Sequence, residues 1–141
     1  MTLNAVNLID YKTRLTQTTW LDCNTNIRAN GKPDLLPDIL AINNAILNLF
    51  GCPIGSRGRI FQPTYGTYLY QLLQEPFDQI TADKIYASLI QSLQKWEPRV
   101  QIDYQQTRVA PVTELAGYMV IVAFIYLIDN KQYQTSYFVN S

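Results

Sequence analysis

The chain has 141 residues and no net charge, with 11 basic residues balanced by 11 acidic ones and no histidine. That length suits one domain with its own core. Without a basic run, phosphate-driven nucleic-acid binding has no support, since Arg57 and Arg59 are the densest cationic pair. The missing histidine excludes Ser-His-Asp and Cys-His catalysis and removes the commonest metal ligand.

Charged residues are 16% of the chain, below the usual ~25%. Ten tyrosines help fill the gap. They fit either an interface, where Tyr is enriched over Lys and Glu, or a sheet, where aromatics are favoured. Cys23 and Cys52 stand outside any CxxC pattern, which argues against zinc and redox chemistry; they are either one disulfide or, as a cytosolic protein favours, reduced and packed thiols. The N-terminus lacks a basic start and an apolar core, so no cleaved signal is expected. The longest apolar run, Tyr118 to Ile128, is about half of the ~20 residues a membrane-spanning helix needs.

Residues 1–36 read as an irregular, extended arm, with Trp20 and Leu21 as anchors and Asn30-Gly31-Lys32-Pro33 as a turn. Residues 37–141 read as one domain. Pro37 suits a first helical turn and Asp38 complements the positive helix end. Ile39, Leu40, Ile42, Ile46, Leu47, Leu49 and Phe50 then follow helical spacing until Gly51 and Pro53. A glycine-containing loop, Gly55 to Arg59, presents Arg57 and Arg59. It lacks the Gly-Lys-Ser/Thr continuation and the preceding strand that phosphate-binding loops require. Gln62 to Gly66 is a turn, and Leu69, Leu72 and Leu73 suggest a short second helix. A third helix takes Thr81 as its N-cap and Asp83 in its first turn, with Ile85, Leu89, Leu93 and Trp96 on one face.

That helix must stop at Glu97-Pro98-Arg99, because proline has no N–H and disfavours α geometry in the residue before it. Val100, Ile102 and Tyr104 then alternate with polar residues as a half-buried strand. Ala110 to Gly117 reads as a loop, Tyr118 to Ile128 as a central strand, Asp129 to Lys131 as a turn and Tyr133 to Val139 as a last strand. The fold class expected is α+β, with a three-stranded or larger antiparallel C-terminal sheet and about three helices on one face.

Two features suggest contacts. Glu97 and Arg99 are either a solvated ion pair or a bidentate pair held for a protein partner, and Trp96 beside them is a frequent interface anchor. The strand of Tyr133, Thr135, Tyr137, Phe138 and Val139 carries no charge, proline or bulge signal. It is either a small bare edge or an edge that accepts strands from another chain. Glycoside hydrolysis needs two facing carboxyls, one in an apolar setting. Glu75 and Glu97 are the imaginable pair, but Lys95 and Arg99 flank Glu97.

Gly55-Ser56-Arg57, Phe61-x-Pro63-x-Tyr65-Gly66, Leu69, Leu73-x-Glu75, Thr81-Ala82-Asp83 and Glu97-Pro98-Arg99 together resemble one family. It is the baseplate wedge or sheath-initiator family of contractile phage tails, related to the E subunit of type VI secretion baseplates and including lysozyme-like members. The resemblance runs from about Gly55 to Arg99, loosens in the C-terminal strands and does not reach the first ~35 residues. It implies a structural subunit without catalytic residues, cofactor or metal, located in the tail baseplate of a virion assembled in the host cytoplasm. Trp96, Glu97, Pro98, Arg99 and Arg57 would dock on the wedge core bundle, and Tyr133, Thr135, Tyr137, Phe138 and Val139 would receive sheath strands. The implied partners are other wedge proteins, the sheath protein and the tail tube, with neither nucleic acid nor membrane. The competing readings are a peptidoglycan-cleaving tail enzyme and a free-standing adaptor.

Overall fold

A computed structural model describes residues 21–23, 35–56 and 62–140. Contacts divide the chain into two units at residues 47 and 48. In the first unit, strands β1 (Leu21–Cys23) and β2 (Leu35–Pro37) pair antiparallel, Leu21 opposite Pro37. A ladder therefore occupies part of the segment expected to be irregular. Helix α1 (Asp38–Phe50) starts one residue after Pro37, which closes β2 instead of opening the helix, and Asp38 does lie in its first turn. The Asn44 side chain donates to Asp22 at 2.8 Å.

In the second unit, helix α2 (Leu69–Leu72) precedes the long helix α3 (Gln79–Trp96). The cap of α3 corrects the sequence reading. Asp78 is the N-cap, its carboxylate accepting from the Thr81 N–H at 2.8 Å, while the Thr81 hydroxyl donates to the Pro76 carbonyl at 2.8 Å. Thr81 therefore locks the turn from inside the helix, and Asp83 lies beyond its first turn. Ile85, Leu89 and Leu93 are buried along one face, as their spacing requires.

Strands β3 (Val100–Ile102), β4 (Arg108–Val112), β5 (Gly117–Tyr126) and β6 (Lys131–Asn140) form an antiparallel sheet. The domain is α+β. The stretch expected to be a loop supplies the end of β4 and a 3₁₀ turn, Thr113–Leu115. Tyr104 lies beyond β3 and is exposed. Leu127 and Ile128 leave the expected central strand for the exposed turn at 127–130.

β5 is the spine. β3 and β4 lie end to end along one side of it and β6 runs along the whole of the other. Where β3 gives way to β4, the Thr107 hydroxyl accepts from the Ala123 N–H at 3.0 Å and lies 3.2 Å from the Ala123 carbonyl. The Asp103 N–H donates to that carbonyl at 2.9 Å. Side-chain and loop groups thus stand in for the missing ladder step.

On β5, Tyr118, Val120, Val122, Phe124 and Tyr126 are all buried and share one face of the sheet. Phe77 meets Tyr118 and Phe50 meets Tyr137 edge-on at 5.6 Å. Helix α3 lies against β3 and β4, and α2 against α3. Burying Val120, Val122 and Phe124 contributes about 1.5–3 kcal/mol each before chain entropy is subtracted.

Candidate functional site

The corner is built by the end of α3. Glu97 leaves helical geometry at φ −124° and ψ 74°, its N–H still bonded to the Leu93 carbonyl at 2.9 Å. Pro98 cannot continue the helix. The chain turns, and the Arg99 carbonyl accepts from the Leu127 N–H at 3.2 Å. The corner is therefore sewn to the turn before β6.

Arg99 Nε and Nη2 hold the two Glu97 carboxylate oxygens at 2.5 and 2.6 Å. Glu97 is 5% exposed and the Arg99 side chain 23%. Of the two readings of this pair, the geometry is the bidentate one, half desolvated and closed within the chain. Trp96 packs edge-on against Tyr65 at 5.3 Å, and the Lys95 ammonium lies 5.0 Å from its ring centre while bonding Thr64 at 3.1 Å.

Gly66, next to Tyr65, lets the chain pass close to the Cys52 backbone. It sits at φ +121°, and a Cβ there would lie 2.1 Å from the Cys52 carbonyl oxygen. Its own carbonyl accepts from the buried Ser92 hydroxyl at 2.7 Å, which ties the Gln62–Gly66 turn to α3. Cys52 is a free thiol, 3.2 Å from the Ser56 hydroxyl. Arg57, Arg59 and Phe61, three residues of the sequence reading, lie outside the described residues.

A groove of about 380 Å³ opens beside the corner, with Gln94, Glu97, Pro98, Val100, Tyr104 and Leu127 among its lining residues. Gln94 donates to the Tyr104 hydroxyl at 2.5 Å. The sequence reading does not anticipate this wall, because it places Tyr104 in a half-buried strand and Leu127 in the central strand.

Glu75 and Glu97 do not face one another. Glu75 bonds Lys84 at 2.5 Å, and Lys84 lies roughly 20 Å before Glu97 along α3 at about 1.5 Å per residue. Paired glycosidase carboxyls stand about 5–9.5 Å apart. Each of these two is also tied to a cation, unlike the apolar setting of an acid catalyst. Among the described residues, no three metal-binding side chains cluster and no helix is long and apolar enough to cross a membrane.

The sheet presents two unlike edges. The Leu127 N–H and Ala123 carbonyl point to the β3 side, so odd-numbered residues of β5 serve β3 and β4 and even-numbered ones serve β6. The register, Val122 opposite Thr135 and Val120 opposite Tyr137, then engages the odd residues of β6. Gln132, Gln134, Ser136, Phe138 and Asn140 direct their N–H and C=O groups outward, and among the described residues β6 pairs with β5 alone. On the far edge the outward positions of β4 are Val109 and Pro111. Proline there has no N–H to offer, and the edge is broken into two short strands, which are devices that block further pairing.

Of the predicted strand residues, Thr135 and Tyr137 are buried on the helical face, with Tyr133 and Val139 half-buried beside them. Phe138 lies on the other face and covers Gly117, where a Cβ would come within 2.6 Å of its ring. Burial pushes the Tyr137 hydroxyl up to about 12.

The α+β domain thus combines a corner closed by an internal ion pair with a strand, β6, whose outer side is unpaired among the described residues. No family model and no curated protein matches the sequence, but solved structures do. The chain superposes on a proposed tail lysozyme from Geobacter sulfurreducens with TM-score 0.61, 17% identity, and coverage of 70% of this chain and 86% of that one. A chain of the post-contraction pyocin R2 baseplate matches at TM-score 0.56 and 21% identity, over 76% and 98% of the two chains. A chain of the type VI secretion baseplate complex matches at TM-score 0.55 and 18% identity, over 73% and 94%. The chain therefore shares its fold with a proposed tail lysozyme and with chains of two contractile-particle baseplates.

Proposed function

We propose that this chain is a structural wedge subunit of a contractile-tail baseplate. Its Trp96-to-Arg99 corner, together with Arg57, docks on the helical core of neighbouring wedge proteins. Its last strand, β6, receives extended arms of the first ring of sheath protein beside the tail tube. In this reading residues 1–36 are an arm to the docking domain.

The asymmetry of the sheet carries the proposal: one edge is closed by Pro111 and a broken strand, and the other offers five uninterrupted outward positions. Strand addition takes its affinity from such main-chain rows. Cryo-EM of the intact particle tests it. Density for this chain at the baseplate–sheath boundary, with β6 paired to a sheath arm, is the expected result. Its absence from the particle would overturn the reading.

The lysozyme description of one structural neighbour favours a second reading, a peptidoglycan-cleaving enzyme. The separation of Glu75 and Glu97 weighs against it. A zymogram of the purified chain is expected to show no clearing. Clearing lost in Glu75→Gln or Glu97→Gln would establish the enzyme instead.

A further inference from the structure

The apolar residues of β6 hold its register only along part of its length. Thr135 and Tyr137 are its buried residues, whereas Lys131, Gln132 and Gln134 are exposed and Tyr133 is half covered. Register is strongly specified where a face is buried and weakly where a strand is polar. The turn sequence also contains a competitor. Asp129-Asn130 is a dipeptide suited to a two-residue hairpin turn. Using it would extend β5 through Leu127 and Ile128, set Ile128 opposite Lys131 and move β6 two residues along β5. A two-residue shift leaves every side chain on its own face, so the alternation alone does not reject it. The contacts of Tyr133 with Phe124, Tyr137 with Phe50 and Phe138 with Gly117 favour the observed pairing, and the polar end beyond Tyr133 needs partners of its own.

The molecule adopts the other pairing. Tyr126 stands opposite Lys131 across a longer turn, with Asn130 at φ 52° and its N–H on the Tyr126 carbonyl at 2.9 Å. Two carboxylates engage the polar end of β6 in this register. Asp129 accepts from the Lys131 N–H at 2.9 Å and from the Tyr133 hydroxyl at 2.5 Å. Asp103 accepts from the Gln132 side chain at 2.9 Å. Asp103 is itself fixed, its N–H on the Ala123 carbonyl of β5 at 2.9 Å and its other oxygen on the Gln105 N–H at 3.0 Å. The shifted pairing would carry Gln132 about 7 Å from it.

We infer that Asp103 and Asp129 are positioning residues that select the register of β6 and so place its outward row relative to the corner. The consequence for strand acceptance rests on the wedge reading above; the register assignment does not.

Disulfide trapping tests it. Ile121→Cys with Ser136→Cys reports the observed register, a non-hydrogen-bonded pair whose Cβ atoms lie close. Ile125→Cys with Gln134→Cys reports the shifted one. In an otherwise unchanged chain the first pair cross-links and the second barely does. In Asp103→Ala/Asp129→Ala the yield of the second, relative to the first, is expected to rise at least tenfold, and Asp103→Asn/Asp129→Asn, which keeps polar partners, is expected to restore the original ratio. An unchanged ratio in the alanine variant overturns the inference even if its Tm falls, because loss of stability alone does not move register. A second arm measures binding of the unpolymerised sheath subunit of the same particle. The alanine variant is expected to bind at least tenfold more weakly and the Asp103→Asn/Asp129→Asn variant to bind as the parent chain does; undiminished binding by the alanine variant with a shifted cross-link ratio would overturn the link between register and strand acceptance. A parent chain that binds no sheath subunit would sink the wedge reading and leave the cross-link result to decide the register.

Discussion

Replacing Ser136 with proline separates the fold of β6 from its proposed use. Ser136 stands opposite Ile121, and its N–H and C=O point away from β5. Proline at this position therefore removes no ladder bond. Its remaining cost is a modest backbone adjustment, on the order of 1 kcal/mol, which for a domain of this size moves Tm by roughly 4 °C. Thr135 is the control, because it stands opposite Val122 in a pair that exchanges ladder bonds and is itself buried. Thr135→Pro would leave the buried Val122 carbonyl unpaired, about 1–3 kcal/mol, and add a ring clash, so a fall in Tm of roughly 10 °C is expected. Binding should show the reverse order of interest. An arriving strand would lose the Ser136 N–H, meet the proline ring and leave groups unpaired on both sides, together about 2–4 kcal/mol or roughly 30- to 1,000-fold in affinity. Thermal melts and sheath-subunit binding by surface plasmon resonance read the two effects separately. Normal sheath binding by Ser136→Pro would refute the acceptor role, and a Tm as low as that of Thr135→Pro would refute the outward assignment.

Arg99→Ala leaves the Glu97 carboxylate buried without its two charged donors, and urea unfolding is expected to show a loss of about 2–4 kcal/mol; under ~0.5 kcal/mol would mean the pair behaves as solvent-exposed. At the start of α3 the bond from the Thr81 N–H, partly opposed by desolvation, holds the Asp78 carboxyl below its ordinary value. A folded value below the unfolded one means the cap stabilises above about pH 4 and loses that contribution as acidification passes through the folded value. The stability gap between the parent chain and Asp78→Ala should therefore narrow in acid, and a gap that does not narrow at all as the pH falls below about 4 would contradict the cap. For Tyr137 the sign is opposite, since burial raises the folded value to about 12 and so favours the neutral phenol. Its contribution is complete below about pH 10 and disappears between there and 12; absorbance titration should find one tyrosine ionising last, together with unfolding, and that phase should vanish in Tyr137→Phe.

Much of this architecture is written in periodicity. The apolar spacing of α3, the continuous run of β5 and the alternation of β6 each specify one element because each buries a definite face. The failures have physical causes as well. Arg108 to Val112 contains Pro111, which argues against a strand, yet the residue sits where its missing N–H would have pointed outward. Asp78 and Thr81 are both good caps, and only the bond from Thr81 back to Pro76 decides between them. Asp103 and Thr107 complete a ladder across a break that no periodicity reports. At the corner, Glu97-Pro98-Arg99 was legible as a rigid charged turn. That its two charges close on each other within one chain depends on the geometry after the helix ends.

That closure bears on how the corner can act. A carboxylate that is already bidentate to its own arginine offers a partner little Coulombic gain, since taking Arg99 would leave Glu97 buried and unpaired. The pair is better suited to hold shape, and the apolar wall beside it, Pro98, Val100, Tyr104 and Leu127, is better suited to contact. Leu127 belongs to the turn that leads into β6, and its N–H is bonded to the Arg99 carbonyl. A wedge partner seated in that groove would therefore bear on the same turn whose register decides where the outward row of β6 lies. Under the proposed function, docking and templating need no moving part between them, because one hydrogen-bonded corner positions both.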